Sequence, residues 1–451
     1  MQTCPHRLIR SALLLLSSLA SLPAAANADA NADATPFPTP ESLKPAVNFW
    51  VKVYTLVNDQ SGYIHDDAHL NVIYETIRFP ADSDRPQQQR QIAAVLKRWR
   101  TALQALSQSP DDTVTDQRQR AARRLWGPHA DAETLQNAAQ RLRFQRGQAN
   151  RFRDGVIRAG AYKPHIHNVL KTLALPPALA NLPHVESSFT PYAHSRAGAA
   201  GLWQFTRATG RRFMRIDHVV DERLDPDKAA VAAARLLKHN HQTLQHWPLA
   251  ITAYNHGLAG MRRAVKATGS SDIGVIARQY QGGRFGFASR NFYAAFLAAS
   301  KVDANANGYF GPLKRADRPR RPRVTLTAYL PAAALAKGLG LPLDTLRKLN
   351  PSLLSSVWNG DKHLPKGYRL TLPESRDGDS ATAKLTQLIA QAGVKRQRRD
   401  RFYQVRRGDT LLAIAQRVGV SASALQRANA LRNKHFIRAG QRLRIPTADR
   451  R

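Results

Sequence analysis

A single carboxylate lies within an apolar stretch of the sequence and is the first candidate for chemistry. Glu186 belongs to the run of residues 182–189, and no other Asp or Glu occurs between residues 155 and 216. Burial beside Val185 and Phe189 would disfavour its charged form and raise its pKa. A carboxyl group that stays protonated near neutral pH can act as a general acid. The sequence therefore marks Glu186 as a candidate general acid at the end of a helical segment.

Two observations leave the role of Glu186 as a general acid open as long as the argument depends on this residue alone. His184 and Arg196 are basic, and each would lower the pKa of Glu186 if it lay close to the carboxyl group. In addition, a glutamate at a helix end is commonly a solvated surface residue. The assignment of chemistry to Glu186 therefore depends on further motifs.

Three blocks of sequence supply such motifs. They are residues 183–189, residues 195–205 with a Leu-Trp-Gln-Phe run, and residues 253–255 with the triplet Ala-Tyr-Asn. In this order and spacing they resemble the lytic murein transglycosylases with a lysozyme-like fold, and among these the membrane-bound D type. The similarity is strongest from residue 161 to residue 313. It implies a mainly α fold with a lysozyme-like (goose-type) helical catalytic domain at residues 165–313.

The resemblance implies a role for five residues. Glu186 corresponds to the catalytic acid and base of the family. Ser195 and Gln204 match the polar residues that bind sugar near the acid. Tyr254 and Asn255 match the pair that lines the floor of the cleft.

Other positions resemble the family or depart from it. Residues 287–298 resemble the helix that supports the site in these enzymes. His256 stands where a small residue is common, and Gly260 follows without the acidic residue often found nearby. Both departures would affect the fit of the substrate more than the chemistry.

The composition of the blocks also suits a carbohydrate ligand on physical grounds. Gly198 and Gly201 have no Cβ, so the backbone can approach a flat sugar chain closely. Trp203 and Tyr254 could offer apolar faces to sugar rings, with core packing as the alternative for Trp203. Gln204 is a polar amide within an apolar run and needs a hydrogen-bond partner there.

Carboxylate placement bears on the mechanism. Ordinary retaining and inverting glycosidases use two carboxyl groups that flank the bond, but the three blocks contain no acid besides Glu186. The resemblance implies that Glu186 protonates the glycosidic oxygen between N-acetylmuramic acid and N-acetylglucosamine, then takes the proton of the muramic acid C6 hydroxyl. The product is a 1,6-anhydro ring, and no water is consumed. The acetamido group of the substrate would replace the missing nucleophile, and no metal or organic cofactor is needed.

Two other functions are compatible with the same motifs. A noncatalytic protein could keep this fold as a peptidoglycan-binding scaffold, although the intact set of five residues argues against it. A lysozyme-type hydrolase would cut the same bond with water, and the spacing does not exclude it. The run Asp225-Pro226-Asp227, by contrast, is typical of a helix N-cap followed by proline and is assigned to structure.

The segment ahead of the motifs has a helical pattern. Apolar residues recur at helical spacing from Ile92 to Leu106, which places one apolar stripe on a helix. We predict a helical N-terminal region over residues 46–164 that packs on a neighbouring domain, with a membrane-surface helix as the alternative. A proline-rich linker at residues 29–45 precedes it.

The beginning of the chain has the pattern of a secretory signal. Two arginines precede an apolar run at residues 12–20, and small residues follow up to Ala28. We predict a signal peptide at residues 1–28, with an uncleaved anchor as the alternative, and a location in the periplasm or cell envelope. Cys4 is the only cysteine and precedes the apolar run. We therefore expect no lipid anchor, no thiol and no stable membrane span after cleavage.

The charge balance indicates an anionic partner. The 451 residues include 68 Lys and Arg against 32 Asp and Glu, a net charge of +36, and 43% of them are apolar. Nucleic acid, a lipid surface or an anionic wall polymer would each match this excess. Export disfavours nucleic acid, so we expect the partner to be the glycan strands of peptidoglycan.

Two segments near the end of the chain are related by an offset of 79 residues. The second, residues 402–446, is similar to LysM domains along its whole length and has a β-α-α-β order. The first, residues 324–373, is degenerate. We predict a basic linker at residues 314–323 before the first segment and a linker at residues 374–400 between the two. The aligned pairs are Ala336 with Ala415, Gly340 with Gly419, Leu346 with Leu425 and Asn350 with Asn429.

The LysM resemblance implies that the second segment recognises glycan containing N-acetylglucosamine. The alternative is a small domain retained for packing or dimerisation. The contacts with glycan would come from Gly408, Asp409, Thr410, Asn429 and Ile437.

Overall fold

Helices dominate the described part of the chain, as the sequence predicted. The described residues from Thr39 onward belong to one compact unit, and residues 35–38 belong to another. The predicted signal peptide, with Cys4, lies outside the described residues. The computed structural model describes residues 35–108, 116–374, 378–431 and 437–446.

The N-terminal region combines helices with a small sheet. Its first helix begins earlier than predicted, because a 3₁₀ turn at Glu41–Leu43 leads directly into it. The elements are α1 (Lys44–Thr55), β1 (Ser61–Asp66), β2 (Ile73–Arg78), α2 (Arg85–Gln108), α3 (Gln117–Trp126), α4 (Ala132–Gln140), β3 (Leu142–Arg146) and α5 (Ala149–Thr172).

The sequence analysis did not predict the sheet in this region. The three strands are antiparallel in the order β2-β1-β3. β1 is buried along its whole length, so it lacks the alternation of polar and apolar residues that identifies a half-buried strand. A Cβ at Gly62 would lie 2.4 Å from the carbonyl oxygen of Gln145 and 2.6 Å from the ring of Phe144. The pairing of β1 with β3 therefore requires glycine at this position.

Helix α2 carries the apolar stripe that the sequence predicted. Val95, Trp99 and Leu103 are buried in a core shared with the sheet and with α3 and α4. The indole Nε1 of Trp99 donates a hydrogen bond to Glu75 of β2 over 2.7 Å. The stripe is thus packed against the sheet and helices of its own region, whereas the prediction placed it against a neighbouring domain.

The next region contains the predicted motifs. Asp225 caps its longest helix by accepting hydrogen bonds from the backbone N–H groups of Asp227 and Lys228, with Pro226 in the first turn, as predicted. The elements are a 3₁₀ turn (Pro177–Asn181), α6 (Leu182–Ser187), α7 (Arg207–Gly210), a 3₁₀ turn (Glu222–Leu224), α8 (Pro226–Leu244), α9 (Trp247–His256), α10 (Leu258–Thr268), α11 (Ile273–Gln279), α12 (Phe287–Ala304) and α13 (Ala306–Phe310).

Helix α12 is the centre of the core that supports these motifs. It packs against α1, α6 and α9. Small side chains such as Ala298 let α1 approach closely, and Val53 and Phe152 fill the same core from α1 and α5. The N-terminal helix is therefore part of the structure that holds α6 in place.

Two small modules follow and have related folds. Each contains one antiparallel strand pair, β4 with β5 and β6 with β7. The second has the predicted β-α-α-β order. The elements are β4 (Arg323–Thr325), α14 (Ala332–Leu339), α15 (Leu343–Leu349), α16 (Ser355–Trp358), β5 (Arg369–Thr371), α17 (Gly378–Ala392), β6 (Phe402–Gln404), α18 (Leu411–Val418), α19 (Ala422–Ala428) and β7 (Arg442–Arg444).

The two segments predicted as linkers are packed against the protein. Residues 374–400 contain α17, which lies against α14 and buries Leu385 in the core of the first module. Residues 314–323 follow the surface of the preceding region, where the backbone N–H of Ala316 donates to the carbonyl oxygen of Ile157 over 2.8 Å. Both predicted linkers thus make contacts with the rest of the protein, through Leu385 in one and Ala316 in the other.

The 79-residue offset relates positions with the same structural role. Gly340 and Gly419 each end the first helix of a module in a left-handed conformation. Asn350 donates to the backbone of Leu346 and Thr371, and Asn429 donates to that of Leu425 and Arg444. Each asparagine also accepts a hydrogen bond from the backbone N–H of the closing strand.

Within the described ranges, no helix has the length and apolarity needed to cross a membrane.

Candidate functional site

Glu186 occupies the last turn of α6, as the sequence predicted. Its side chain keeps only part of its surface accessible, and this burial raises its pKa from the ordinary value of 4.5 to about 8. The carboxyl group has no ion pair or hydrogen bond to any described residue. Tyr54 and Tyr254 lie close enough to feel its charge. Burial raises the pKa of each tyrosine, and the charge of Glu186 raises it further.

The chain reverses immediately after Glu186. Ser188 and Phe189 both adopt positive φ, at 48° and 54°, and Phe189 is buried. Arg158 of α5 donates to the carbonyl oxygen of Ser188 over 2.8 Å, and Ser187 donates to the carbonyl oxygen of Leu202 over 2.7 Å. These bonds hold the end of α6 against both α5 and the loop that follows.

His184 does not lower the pKa of Glu186. Its ring is stacked on Phe152 at 4.6 Å and meets the edge of Phe189 at 4.5 Å. Burial lowers the pKa of His184 to about 4, so the ring is neutral near pH 7. Its Nε2–H donates to Asp303 over 3.0 Å. Arg196, the other basic residue considered, is exposed.

Asp303 is the centre of an ionic network that contacts α6 through His184. Burial would raise the pKa of Asp303, but the hydrogen bond from His184 and the charge of Lys163 outweigh it and hold this pKa well below its ordinary value. Lys163 and Arg315 both pair with Asp303, and Lys163 also donates to Asn181 over 2.5 Å. Breaking a buried pair of this kind leaves an uncompensated charge and is destabilising, so the network stabilises the position of α6.

The loop between α6 and α7 carries two of the predicted binding residues. Ser195 is exposed, and its Oγ accepts a hydrogen bond from the N–H of Ala199 over 3.0 Å. Gln204 is partly buried and donates to the carbonyl oxygens of Ala193 and Gly201 over 3.2 and 2.9 Å. The amide of Gln204 therefore has the partners that the sequence required, and they belong to the loop itself.

Tyr254 and Asn255 lie at the end of α9, on the opposite wall. The hydroxyl of Tyr254 donates to the carbonyl oxygen of Trp203 over 2.8 Å, and Asn255 accepts from Ser289 of α12 over 2.8 Å. Trp203 itself is 1% exposed. Of the two roles considered for Trp203, core packing is the one that the structure shows, because its indole is part of the core.

A cavity of about 310 Å³ brings together Gln204, Tyr254 and Asn255. His239 and His256 lie on its wall as well. Glu186 and Ser195 are not among the residues that line this cavity.

One residue near the site was not assigned a role from the sequence. Tyr54, from α1, is 2% exposed and within electrostatic reach of Glu186. No local signal could identify it, because α1 reaches the site only through the packing of the core. His256 and Gly260, the two departures from the family pattern, depend on each other: a Cβ at Gly260 would lie 2.4 Å from the ring of His256.

The residues predicted for glycan binding in the second module have structural roles. Gly408 has a φ of 86°, and Thr410 caps α18. Asp409 accepts hydrogen bonds from the N–H of Arg406 and the hydroxyl of Tyr403. These interactions leave the backbone of the turn as the part available to a ligand.

Two further residues of that prediction are also engaged within the module. The side-chain amide of Asn429 is used by α19 and β7. Ile437 packs against the small core. The side chain of Asn429 is therefore engaged within the module, and the contact of this region with glycan stays a prediction.

Comparison with known domains is consistent with this geometry. Residues 166–276 match the Transglycosylase SLT domain, and residues 403–446 match the LysM domain. The chain therefore contains a transglycosylase-type SLT domain, which includes Glu186, followed by a LysM domain.

The chain is also similar to several individual proteins. Membrane-bound lytic murein transglycosylase D from Escherichia coli K12 is 30% identical over 303 residues, as is the protein of that name from Escherichia coli O6:H1. In each case the match covers 65% of this chain and 65% of the relative, so the chain spans slightly less than two thirds of their length. A putative tributyltin chloride resistance protein from Alteromonas is 34% identical over 110 residues, covering 24% of this chain and 53% of that protein.

Two solved structures show limited similarity. An inactive mutant of the lytic transglycosylase Slt from Pseudomonas aeruginosa has a TM-score of 0.28 and 18% identity, covering 51% of this chain and 34% of that one. The 70 kDa soluble lytic transglycosylase Slt70 from Escherichia coli has a TM-score of 0.30 and 15% identity, covering 54% and 50%.

Proposed function

We propose that this protein is a peptidoglycan lytic transglycosylase that cuts the β-1,4 bond between N-acetylmuramic acid and N-acetylglucosamine. Glu186 is the catalytic acid and base. Ser195, Gln204, Tyr254 and Asn255 bind the sugar chain, and the LysM domain holds the enzyme on its polymer. The observation that carries the proposal is the Glu186 carboxyl group, whose pKa of about 8 and freedom from ion pairs suit proton donation at neutral pH.

The reaction needs one proton, which Glu186 gives and recovers. The protonated carboxyl donates to the glycosidic oxygen as the bond from that oxygen to C1 breaks, and the electron pair of the bond stays on the oxygen. The carboxylate then accepts the proton of the C6 hydroxyl while the C6 oxygen bonds to C1. A 1,6-anhydro ring forms, and water is not a reactant.

The state of the other carboxylates supports a single-acid reaction. A glycosidase of the ordinary kind needs a second carboxyl group beside the bond. All seven other acids between residues 161 and 313 accept hydrogen bonds within their own surroundings, most of them at helix caps or in ion pairs. They are Asp217, Asp221, Glu222, Asp225, Asp227, Asp272 and Asp303.

We also propose that the protein works in the periplasm or cell envelope, after removal of the signal peptide at residues 1–28. The strong positive charge supports this location, because the wall polymer is anionic.

Mass spectrometry of the products from purified sacculi tests the reaction. We expect anhydro-muropeptides from the wild type, and a fall of at least ~10²-fold in the Glu186→Gln variant, which cannot exchange the proton. Glu133→Gln, at an exposed position on α4, is the matched control and should retain full activity. Products with reducing ends would identify a hydrolase instead. An absence of products with retained binding would identify a scaffold.

A further inference from the structure

A second cavity, of about 620 Å³, lies on the SLT region outside the proposed cleft. Helix α5, the segment at residues 318–323 and the first module enclose it. A hydrogen bond joins the first module to the SLT region, and an ion pair joins the segment at residues 318–323 to α8. The backbone N–H of Leu354 in the first module donates to the carbonyl oxygen of Val219 over 2.9 Å, and Arg318 pairs with Asp227 of α8 over 2.8 Å.

The lining is strongly basic. Six cations face two carboxylates, and both carboxylates are already engaged: Asp227 pairs with Arg318 and Arg323, and Asp225 caps α8. The side chains of the remaining four cations form no ion pair and no hydrogen bond with any described residue. Like charges gathered around one cavity repel each other, and a bound anion relieves that repulsion. The four are Lys228, Arg320, Arg321 and Arg369.

Three tyrosines add apolar faces to this basic lining. Tyr162 comes from α5, Tyr368 from the first module, and Tyr192 from the loop after α6. Tyr192 is 49% exposed, which is uncommon for a large aromatic side chain in this protein. Guanidinium groups beside aromatic faces favour a ligand that has both carboxylates and small apolar groups.

The cavity adjoins the proposed cleft along one wall. Tyr192 is followed directly by Ala193, whose carbonyl oxygen accepts the hydrogen bond from Gln204. On α5, Arg158 holds Ser188 beside the proposed acid, and Tyr162 lines the cavity one turn further along. A turn of helix advances about 5.4 Å, so the residue that lines the cavity lies about one turn from the residue that holds Ser188.

We propose that this cavity binds the carboxylate-bearing peptide attached to the sugar chain, so that the protein recognises peptide-substituted glycan. The inference rests on the proposed function, because that function supplies the polymer. The anionic groups of that polymer beside the cleft are the carboxylates of its peptides, and these pair with guanidinium groups in the planar geometry that arginine favours.

Titration calorimetry with two soluble probes tests the proposal. The first probe is a disaccharide that carries its tetrapeptide, and the second is the same disaccharide without the peptide. In the full chain, the triple variant Arg320→Ala, Arg321→Ala, Arg369→Ala should bind the first probe about tenfold more weakly, as expected for loss of partly exposed charge pairs. Its affinity for the second probe should be unchanged.

A charge-matched control separates a site from a general effect of charge. Arg90, Arg98 and Arg124 are exposed on α2 and α3, and their triple replacement by alanine should leave both affinities unchanged. Equal weakening of both probes by the first triple variant, or equal effects of the two triple variants, would overturn the proposal. Displacement of the peptide-bearing probe by an equal concentration of inorganic phosphate would also overturn it.

The titration measures binding and not cleavage. An inactive wild type that still distinguishes the two probes would contradict only the proposed reaction. An active wild type that binds both probes equally would contradict only the peptide site.

Discussion

The hydroxyl of Tyr254 donates a hydrogen bond of 2.8 Å to the carbonyl oxygen of Trp203, a residue 51 positions earlier in the chain. This bond joins the end of α9 to the loop between α6 and α7. It holds the backbone immediately before Gln204, a residue with a φ of 47°. The two walls of the proposed cleft are therefore linked by one hydroxyl group.

Removal of that hydroxyl should loosen the loop. In Tyr254→Phe the buried carbonyl group of Trp203 loses its partner, and we expect the free energy of unfolding to fall by about 1 to 2 kcal/mol. Urea unfolding measures the change. Tyr280→Phe is the matched control, because the Tyr280 hydroxyl forms no hydrogen bond with a described residue, and it should change stability little. Equal losses in the two variants would refute a structural role for the Tyr254 hydroxyl.

The raised pKa of Glu186 should make stability depend on pH. The folded state holds this proton more tightly than the unfolded state, since burial raises the pKa from 4.5 to about 8. The contribution of Glu186 is complete below about pH 4.5 and is lost as the pH rises through about 8. Urea unfolding across this range should therefore show a wild type that weakens relative to Glu186→Gln. A constant difference between the two proteins would contradict the raised pKa.

The same pKa predicts the alkaline limit of activity. A general acid must be protonated to donate, so the turnover of purified sacculi should fall above about pH 8. Product release followed at several pH values measures this limit. An activity that falls already between about pH 4 and 5 would indicate an ordinary carboxyl group.

Two glycines in the loop should differ sharply in their tolerance of alanine. Both have positive φ, 82° for Gly201 and 79° for Gly198. A Cβ at Gly201 would lie 1.8 Å from the carbonyl oxygen of Arg223, whereas a Cβ at Gly198 meets nothing within 4 Å. We expect Gly198→Ala to cost about 1 to 2 kcal/mol from backbone strain, and Gly201→Ala more than about 4 kcal/mol. Chemical unfolding of the two variants measures the difference, and similar losses would contradict the close contact.

Asn429 should act on the stability of the LysM domain. In Asn429→Ala the closing strand β7 loses both hydrogen bonds to the side chain, and we expect a loss of about 2 kcal/mol. Hydrogen exchange at the N–H of Arg444, which Asn429 binds, should become faster. Gln416→Ala, at an exposed position on α18, serves as the control. Loss of glycan binding in Asn429→Ala, with unchanged hydrogen exchange at the N–H of Arg444, would indicate that Asn429 contacts glycan directly.

The local sequence predicted much of the site. The apolar run around Glu186 indicated a helix end and a raised pKa, and the structure shows both, although two of the residues near the carboxyl group, Tyr54 and Tyr254, come from distant parts of the chain. The cap at Asp225 and the stripe on α2 could also be predicted from the local sequence. The 79-residue repeat predicted two related modules, since the same positions must end the same helices and hold the same strands.

Other features depend on contacts between distant parts of the chain. The sequence left open whether His184 would oppose the raised pKa of Glu186. Its neutrality follows from burial among aromatic rings, which outweighs the opposite effect of Asp303, 119 positions away, on its pKa. The sheet of the N-terminal region could not be predicted, because β1 is buried on both faces.

The sequence by itself thus determined the candidate acid, the order of the motifs and the repeat, because neighbouring residues carry those signals. Only the tertiary structure decided which polar groups remain available to a ligand. Trp203 and the side chain of Asn429 are occupied within the protein, whereas Arg320 and Arg369 face a cavity without partners among the described residues. The physical reason is that a hydrogen bond or an ion pair needs two groups in contact, and folding alone brings distant groups together.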